Sequence, residues 1–256
     1  GMVGTAISAF ATPRLVQGIG YFQTHVLIAV ICAVTAAISF FFLKDSPATI
    51  GREVTPLMPK IVQAFKVKTT WQLCFLYAVV FGAFVAFSNY LPTYLSNIYN
   101  FNANDAGMRA AGFAVAAVIA RPFGGVLADK FGPKIITLIS LGGVVILAVI
   151  TAFQPDAEHV YGAVFILMAA LLGMGHGSVF GWVGRAADPK NVGAVSGVVA
   201  AAGALGGFFP PLVMGATYNQ AENNYFIGLM LLAVTAALAF LSAFLVPHGG
   251  KPNHAK

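Results

Sequence analysis

Charge is scarce in this sequence. Only 9% of its 256 residues are Asp, Glu, Lys or Arg, and 59% are hydrophobic, whereas a water-soluble domain carries about 25% charged residues. A soluble globular fold is thereby excluded, and the composition is that of an integral membrane protein. Carboxylates are rarer still: the 8 Asp and Glu residues all fall in polar connectors or at the ends of apolar runs. No apolar run therefore holds an acidic proton relay. Cysteine is nearly absent. The 2 residues, Cys32 and Cys74, sit in apolar stretches with no CxxC spacing and no disulfide framework. HExxH and Ser–His constellations are also lacking, which leaves an intramembrane enzyme without machinery, and there is no sizeable polar domain for a sensor. The opening residues have no charged segment ahead of an apolar core and do not read as a cleavable signal peptide. The net charge of +6 comes from short loops without interleaved aromatics, so a nucleic-acid partner is excluded. The glycine-rich run LLGMGHGSVFGW (171–182) follows no strand and is no dinucleotide site. No cofactor and no metal are called for.

What is present is a series of long apolar runs. A helix needs about 20 apolar residues to cross a bilayer. Spans are expected at roughly 1–20, 23–43, 71–98, 106–128, 134–153, 159–184, 192–218 and 224–246. They are separated by KDSP, FNAND, DKFGPK, QPDAEH, AADPKN and YNQAENN, whose Pro, Gly, Asn and Asp residues punctuate helices. The fold class expected is an all-α integral membrane bundle with eight transmembrane helices.

Lys and Arg in the loops set the direction. With the long connector 44–70 in the cytoplasm, that side holds Lys44, Arg52, Lys60, Lys66, Lys68, Lys130, Lys134, Arg185, Lys190, Lys251 and Lys256. The other side holds Asp105, Asp156, Glu158 and Glu222, with Arg14 and Arg109 the nearest cations. The protein is thus expected in the cell inner (plasma) membrane, multi-pass, with its C-terminus cytoplasmic. The connector divides the chain into residues 1–43, the last two helices of one half; 44–70, the cytoplasmic connector; 71–246, a six-helix bundle; and 247–256, a cytoplasmic tail. Six helices after a basic loop are half of a twelve-helix transporter. Four further spans are expected ahead of residue 1, so the missing N-terminal helices of the same transporter are expected partners, beside the lipid bilayer.

Arg121 stands out because it interrupts an apolar run, AAVIARPFGGVLADKFGPK. Counted back from Asp129, it lies about 12 Å deep at 1.5 Å per residue. A cation at that depth costs about 2.5–3.5 kcal/mol on insertion scales and usually faces a bundle interior or a water path. One reading is structural: the side chain pairs with carbonyls or reaches back to the near interface. The other is an anion-binding arginine in a transport path.

Two glycine-bearing segments bear on movement. In GGVLADKFGPK (124–134), Gly124 and Gly125 permit close helix approach, Asp129 can pair at a helix end, Gly132 permits a tight reversal, and Lys130 and Lys134 hold the loop at the cytoplasmic face. The segment resembles the cytoplasmic loop signature of the major facilitator superfamily. In GVVAAAGALGGFFPP (197–211), Gly203 and Gly207 share a face as a small-residue contact, and Pro210 and Pro211 bend or break the helix. GMVGTAISAF, with Gly4, is the small-residue counterpart at the start. Matched special helices in a two-half transporter point to a central site. His176 could shuttle a proton, but a buried, hydrogen-bonded histidine is the plainer reading, and Ser178 could line a path or bond its own helix.

Taken together, GALGGFFPP, GMVGTA and ARPFGG resemble the nitrate/nitrite porter family of the major facilitator superfamily, over residues 1–246. The resemblance implies a nitrate/nitrite transporter with nitrate and nitrite as partners, working by alternating access. It implies that Arg121 meets the anion, that Tyr77 and Phe81, four apart and on one face, supply a hydroxyl and an aromatic wall, and that Gly197 stands beside the anion. Gly203, Gly206 and Gly207 carry the second glycine signature. A second arginine is implied in a helix ahead of residue 1. Two positions depart from the pattern: Ala200 stands where a serine is expected, and Met2 where an asparagine is. The alternative is a porter of the same superfamily for another small anion, such as a short carboxylate.

Overall fold

A bilayer offers no water to backbone N–H and C=O groups, so a spanning chain must pair them internally, and helices do so. The computed structural model describes residues 2–43, 57–156, 158–188 and 191–246. Among these residues the chain is helical apart from short connectors and one isolated bridge between Asn219 and Asn224. The helices are α1 (Met2–Ile19), α2 (Tyr21–Phe42), α3 (Leu57–Lys66), α4 (Lys68–Tyr99), α5 (Ala103–Phe131), α6 (Pro133–Ala152), α7 (Glu158–Ala186), α8 (Val192–Gly206), α9 (Phe209–Ala216) and α10 (Phe226–Leu245).

Seven stretches of the described residues are long and apolar enough to cross a membrane: α2, α4, α5, α6, α7, the combined α8–α9 segment Val192–Ala216, and α10. Where the eighth span was expected, over 1–20, α1 forms a helix of 18 residues that Ser8, Thr12, Arg14 and Gln17 make less apolar than the others. The connector is not wholly loop. Its residues 44–56 lie outside the described residues, as does the tail 247–256, but α3 forms within it and buries Ala64. There the Trp71 indole N–H donates to the Phe65 carbonyl at 2.8 Å. A basic loop hid this short amphipathic helix from a reading based on run length.

Local chemistry sets the boundaries. Asn102 caps α5 by accepting from the Asp105 N–H at 3.0 Å, which starts that helix three residues ahead of the expected 106. Asn100 ends α4 in the left-handed conformation at φ 55°. Gly132, at φ +95°, makes the reversal between α5 and α6 that a side chain would strain. The expected span 192–218 is interrupted at Gly207 and Phe208, between α8 and α9. Pro210 and Pro211 sit in the first turn of α9, have no N–H to offer the carbonyls of Gly206 and Gly207, and so break the ladder one turn upstream of themselves.

The helices run up and down and are tied at both ends. At one end Lys134 donates to the Phe244 and Val246 carbonyls at 2.7 and 3.3 Å, capping α10 with a cation, and Arg185 donates to Asp129 at 2.9 Å. At the other, Asn97 donates to the Tyr225 hydroxyl at 2.7 Å, Arg109 pairs with Glu158, and the Tyr99 hydroxyl donates to the Pro155 carbonyl at 3.0 Å.

Between the ends, glycines let backbones touch. Added side-chain atoms at Gly173 and Gly177 would strike the carbonyls of Ala117 and Arg121, and one at Gly124 would strike the Met174 backbone. These contacts bring α5 and α7 together along a small-residue seam of the kind that joins membrane helices. Gly125 takes part through its backbone only: an added atom at Gly177 would come within 2.9 Å of its N, whereas one at Gly125 itself meets nothing within 4 Å, because that side-chain direction points away from the seam. α1 joins α5 similarly, with Gly107 against the Ala9 carbonyl.

Overpacking a tight site costs about 1–3 kcal/mol. Gly173→Ala is therefore expected to lower the thermal unfolding midpoint in detergent. Gly162→Ala, at a position on the same helix with nothing within 4 Å of an added methyl, is expected to leave it nearly unchanged.

Candidate functional site

Four of the singled-out side chains or backbones fall at one depth. Tyr77 is nine residues from the start of α4, Arg121 and His176 are ten from the ends of α5 and α7, and Gly203 is eleven from the start of α8. At 1.5 Å per residue each lies about 13–17 Å from the same end of the bundle, roughly halfway through a 30 Å hydrocarbon layer.

Tyr77 is the hub of this layer. It is buried, and its hydroxyl lies 2.6 Å from His176 Nε2. Its ring stacks on Phe81 with centroids 5.3 Å apart and planes 11° apart, as positions four residues apart on one helix allow. From α7, His176 and Phe180 meet Tyr77 edge-on at 5.0 and 4.8 Å, and His176 also meets Phe81 at 5.0 Å. The result is an aromatic block, two rings from each of two helices, with one polar bond at its centre.

Gly203 makes this block possible on the α8 side. A methyl there would fall about on the Tyr77 ring and 2.9 Å from Cδ1 of Phe81. Gly206 lies against the Ala78 backbone, and Gly82 of α4 lies against Gly206 in return. Gly207 faces Val85, whose side chain would stand 2.8 Å from an added methyl. All three glycines of the signature thus touch α4 along the stretch that carries Tyr77 and Phe81.

Arg121 extends from α5 beside this block. Its side chain is exposed in the chain described here, and its backbone carbonyl lies against Gly177, the neighbour of His176. The guanidinium charge is close enough to act electrostatically on both Tyr77 and His176. A planar cation, a phenol hydroxyl and aromatic faces are thereby gathered in one layer. Such a set can bind a small flat anion: the guanidinium provides charge and forked donors, and the buried rings keep water from one side.

The remaining expected residues stand elsewhere. Gly197 is exposed on α8 with nothing within 4 Å of an added methyl, and Gly4 on α1 is likewise open. Neither touches the aromatic block among the described residues. Gly124 serves the α5–α7 seam, and Asp129 is an exposed carboxylate paired with Arg185 at the end of the bundle. Ser178 bonds Thr137 and the Pro133 carbonyl at 2.9 and 2.7 Å. No group of three or more His, Cys, Asp or Glu suited to a metal occurs among the described residues.

Two members of the block were not among the expected site residues. Phe180 carried no signal of its own among 22 phenylalanines. His176 read as a hydrogen-bonded structural histidine, and it is buried and bonded, but its partner is Tyr77. The usable signal was the spacing: His176 and Phe180 repeat on α7 the four-residue interval of Tyr77 and Phe81 on α4.

The family profile described as the Major Facilitator Superfamily matches residues 1–211 and 73–256. A probable nitrate/nitrite transporter NarK2 of Mycobacterium tuberculosis is 52% identical over 239 residues, which is 93% of this chain and 60% of the relative. A nitrite extrusion protein of Bacillus subtilis is 34% identical over 242 residues, 94% of this chain and 60% of that protein. A probable nitrate transporter NarT of Staphylococcus haemolyticus is 32% identical over 257 residues, 100% of this chain and 64% of that protein. The chain thus spans about 60% of the length of the curated relatives it matches. Among solved structures, a mutant of the nucleoside transporter NupG superposes with a TM-score of 0.68 at 12% identity, covering 96% of this chain and 64% of that one. An inward-facing bacterial homolog of the human lysosomal transporter Spinster gives 0.61 at 19% identity, covering 95% and 63%. At such identities the likeness concerns the fold.

Because Gly203 is pressed against two rings, Gly203→Ala is expected to displace Tyr77 and lower the unfolding midpoint, at a cost of about 1–3 kcal/mol. Gly197→Ala, in open space on the same helix, serves as the control and is expected to leave the midpoint in place.

Proposed function

We propose that this chain, which belongs to the Major Facilitator Superfamily, is the larger part of a nitrate/nitrite transporter that works by alternating access. Its relatives' names support this reading, and one observation carries it: Arg121 lies at the depth of the bonded Tyr77–His176 pair, midway along packed helices, with its carbonyl against Gly177, the neighbour of His176. Nitrate is flat, weakly hydrated and singly charged. Arg121 holds it with charge and paired donors, Tyr77 adds a hydroxyl, and Phe81 forms a wall. Gly197 borders the anion once the helices of the other half are in place. Those helices, with a second arginine among them, complete the site from outside these 256 residues.

In this reading α1 is the eighth span, α1 and α2 close the first half, residues 44–70 form the cytoplasmic connector, and α4–α10 build the second half. The end holding Lys60, Lys66, Lys68, Lys130, Lys134 and Arg185 faces the cytoplasm of a cell with this protein in its inner membrane, in keeping with the excess of cations on the inside. The glycine contacts of α8 with α4 supply a smooth surface on which helices rock, Gly4 is open to receive a helix of the first half in the same way, the α5–α7 seam moves as one unit, and the Asp129–Arg185 pair ties one end of the bundle in one state. Nitrate/nitrite exchange needs no proton relay, because one anion replaces another and the cationic site is not left empty on the return. Proton-coupled uptake would draw its proton carrier from the other half of the transporter or from a route without a carboxylate.

Loss of paired donors to a bound anion removes a charged hydrogen bond, worth about 1.5–3 kcal/mol. Arg121→Lys in the whole transporter, reconstituted in proteoliposomes, is expected to reduce nitrate uptake at least about tenfold at unchanged expression. Uptake that survives this change rejects the site. Failure of nitrate and nitrite to displace the bound substrate of the unaltered transporter would point instead to another small anion such as a short carboxylate.

A further inference from the structure

The bond between Tyr77 and His176 raises a question of direction. A phenol hydroxyl has one hydrogen, and a neutral imidazole has one N–H. If Tyr77 donates to Nε2, the imidazole hydrogen must sit on Nδ1. Nδ1 is buried, and no described residue accepts from it. It would be an orphaned N–H in a buried site, and Tyr77 would turn only lone pairs outward. If His176 donates from Nε2, Nδ1 keeps a bare lone pair, which a nearby cation tolerates better, and the phenol hydrogen is released. Unpaired buried donors are rarer than under-satisfied acceptors.

We infer that His176 is a positioning residue that donates its Nε2 hydrogen to Tyr77 and thereby fixes the Tyr77 hydroxyl as a hydrogen donor aimed at the anion held by Arg121. The inference rests on the proposed role of Tyr77 as an anion contact. The surroundings are built for holding rather than for chemistry. His176 is 2% exposed, and its ring is fixed by contacts with Tyr77, Phe81 and Phe180 at 5.0, 5.0 and 6.0 Å. Its helix is locked to α5 by Gly173 and Gly177 on either side. The only charge found acting on it among the described residues is that of Arg121. A donor locked in place before the anion arrives costs no reorganisation on binding, and it disfavours a cationic ligand, which would meet the Arg121 charge and a hydroxyl turned to donate.

The test uses the whole transporter in proteoliposomes, with nitrate as the probe and surface expression measured in parallel. His176→Leu removes the bond and is expected to raise KM for nitrate about tenfold while maximal flux changes little. His176→Gln, whose side-chain amide can donate toward Tyr77, is expected to restore most of the affinity. In the Tyr77→Phe background, His176→Leu is expected to add nothing, because the hydroxyl it positions is gone. An unchanged KM in His176→Leu, or losses that multiply in the double variant, would overturn the inference. Should His176→Leu fail to reach the membrane, nitrogen NMR of the nitrate-bound protein decides: a hydrogen on Nε2 supports the inference and one on Nδ1 defeats it. A transporter that carries no nitrate at all, or that keeps uptake in Arg121→Lys, fails the underlying reading instead.

Discussion

The arrangement depends on how closely four helices approach one another. Where Gly173 and Gly177 meet the Ala117 and Arg121 carbonyls, and where Gly206 meets the Ala78 backbone, no side chain separates the backbones, and at Gly203 the rings of Tyr77 and Phe81 fill the space a side chain would need. Lipid is as apolar as leucine, so membrane helices gain little from hiding apolar surface against each other and are held by fit instead. Here the fit does two things at once. It joins α5 to α7 and α4 to α8, and it fixes the rotation of each helix so that Arg121, His176, Tyr77 and Phe81 arrive at one level. Their convergence follows from the seams and needs no separate device.

Much of the architecture was legible in the chain. Long apolar runs bounded by Asn, Asp, Gly and Pro give spans because hydrogen-bond closure leaves the backbone no other choice, and the helices start and stop within a few residues of those marks. The failures have identifiable causes. α3 was hidden because its apolar face is short and its flanks are basic. The break in the α8–α9 segment lies ahead of Pro210 because a proline disturbs the carbonyl one turn before it rather than its own position. α1 formed a helix, but its hydroxyls and Arg14 dilute its apolarity.

The candidate site was legible in part, and the boundary is instructive. Tyr77 and Phe81 share a helix face by spacing alone, and Arg121 announces itself by cost. The pairing of Tyr77 with His176 joins residues 99 positions apart. No local pattern encodes it; it exists because glycines elsewhere set two helix rotations. Gly203 illustrates the same point. Its spacing to Gly207 suggested a contact, whereas the identity of the contacted rings depends on α4. Gly197 and Gly4 look onto open space here, and nothing in a single sequence distinguishes a glycine that touches a neighbour from one that does not.

The interruption between α8 and α9 has a mechanical meaning. Pro210 and Pro211 leave the Gly206 and Gly207 carbonyls without their usual partners one turn ahead. An intact helix resists bending because its ladder would have to part. At this point the ladder is already short of two bonds, so bending α9 against α8, whose Gly203 is pressed against Tyr77, requires less of it to part. The weak point of the segment thus sits one turn beyond the aromatic block.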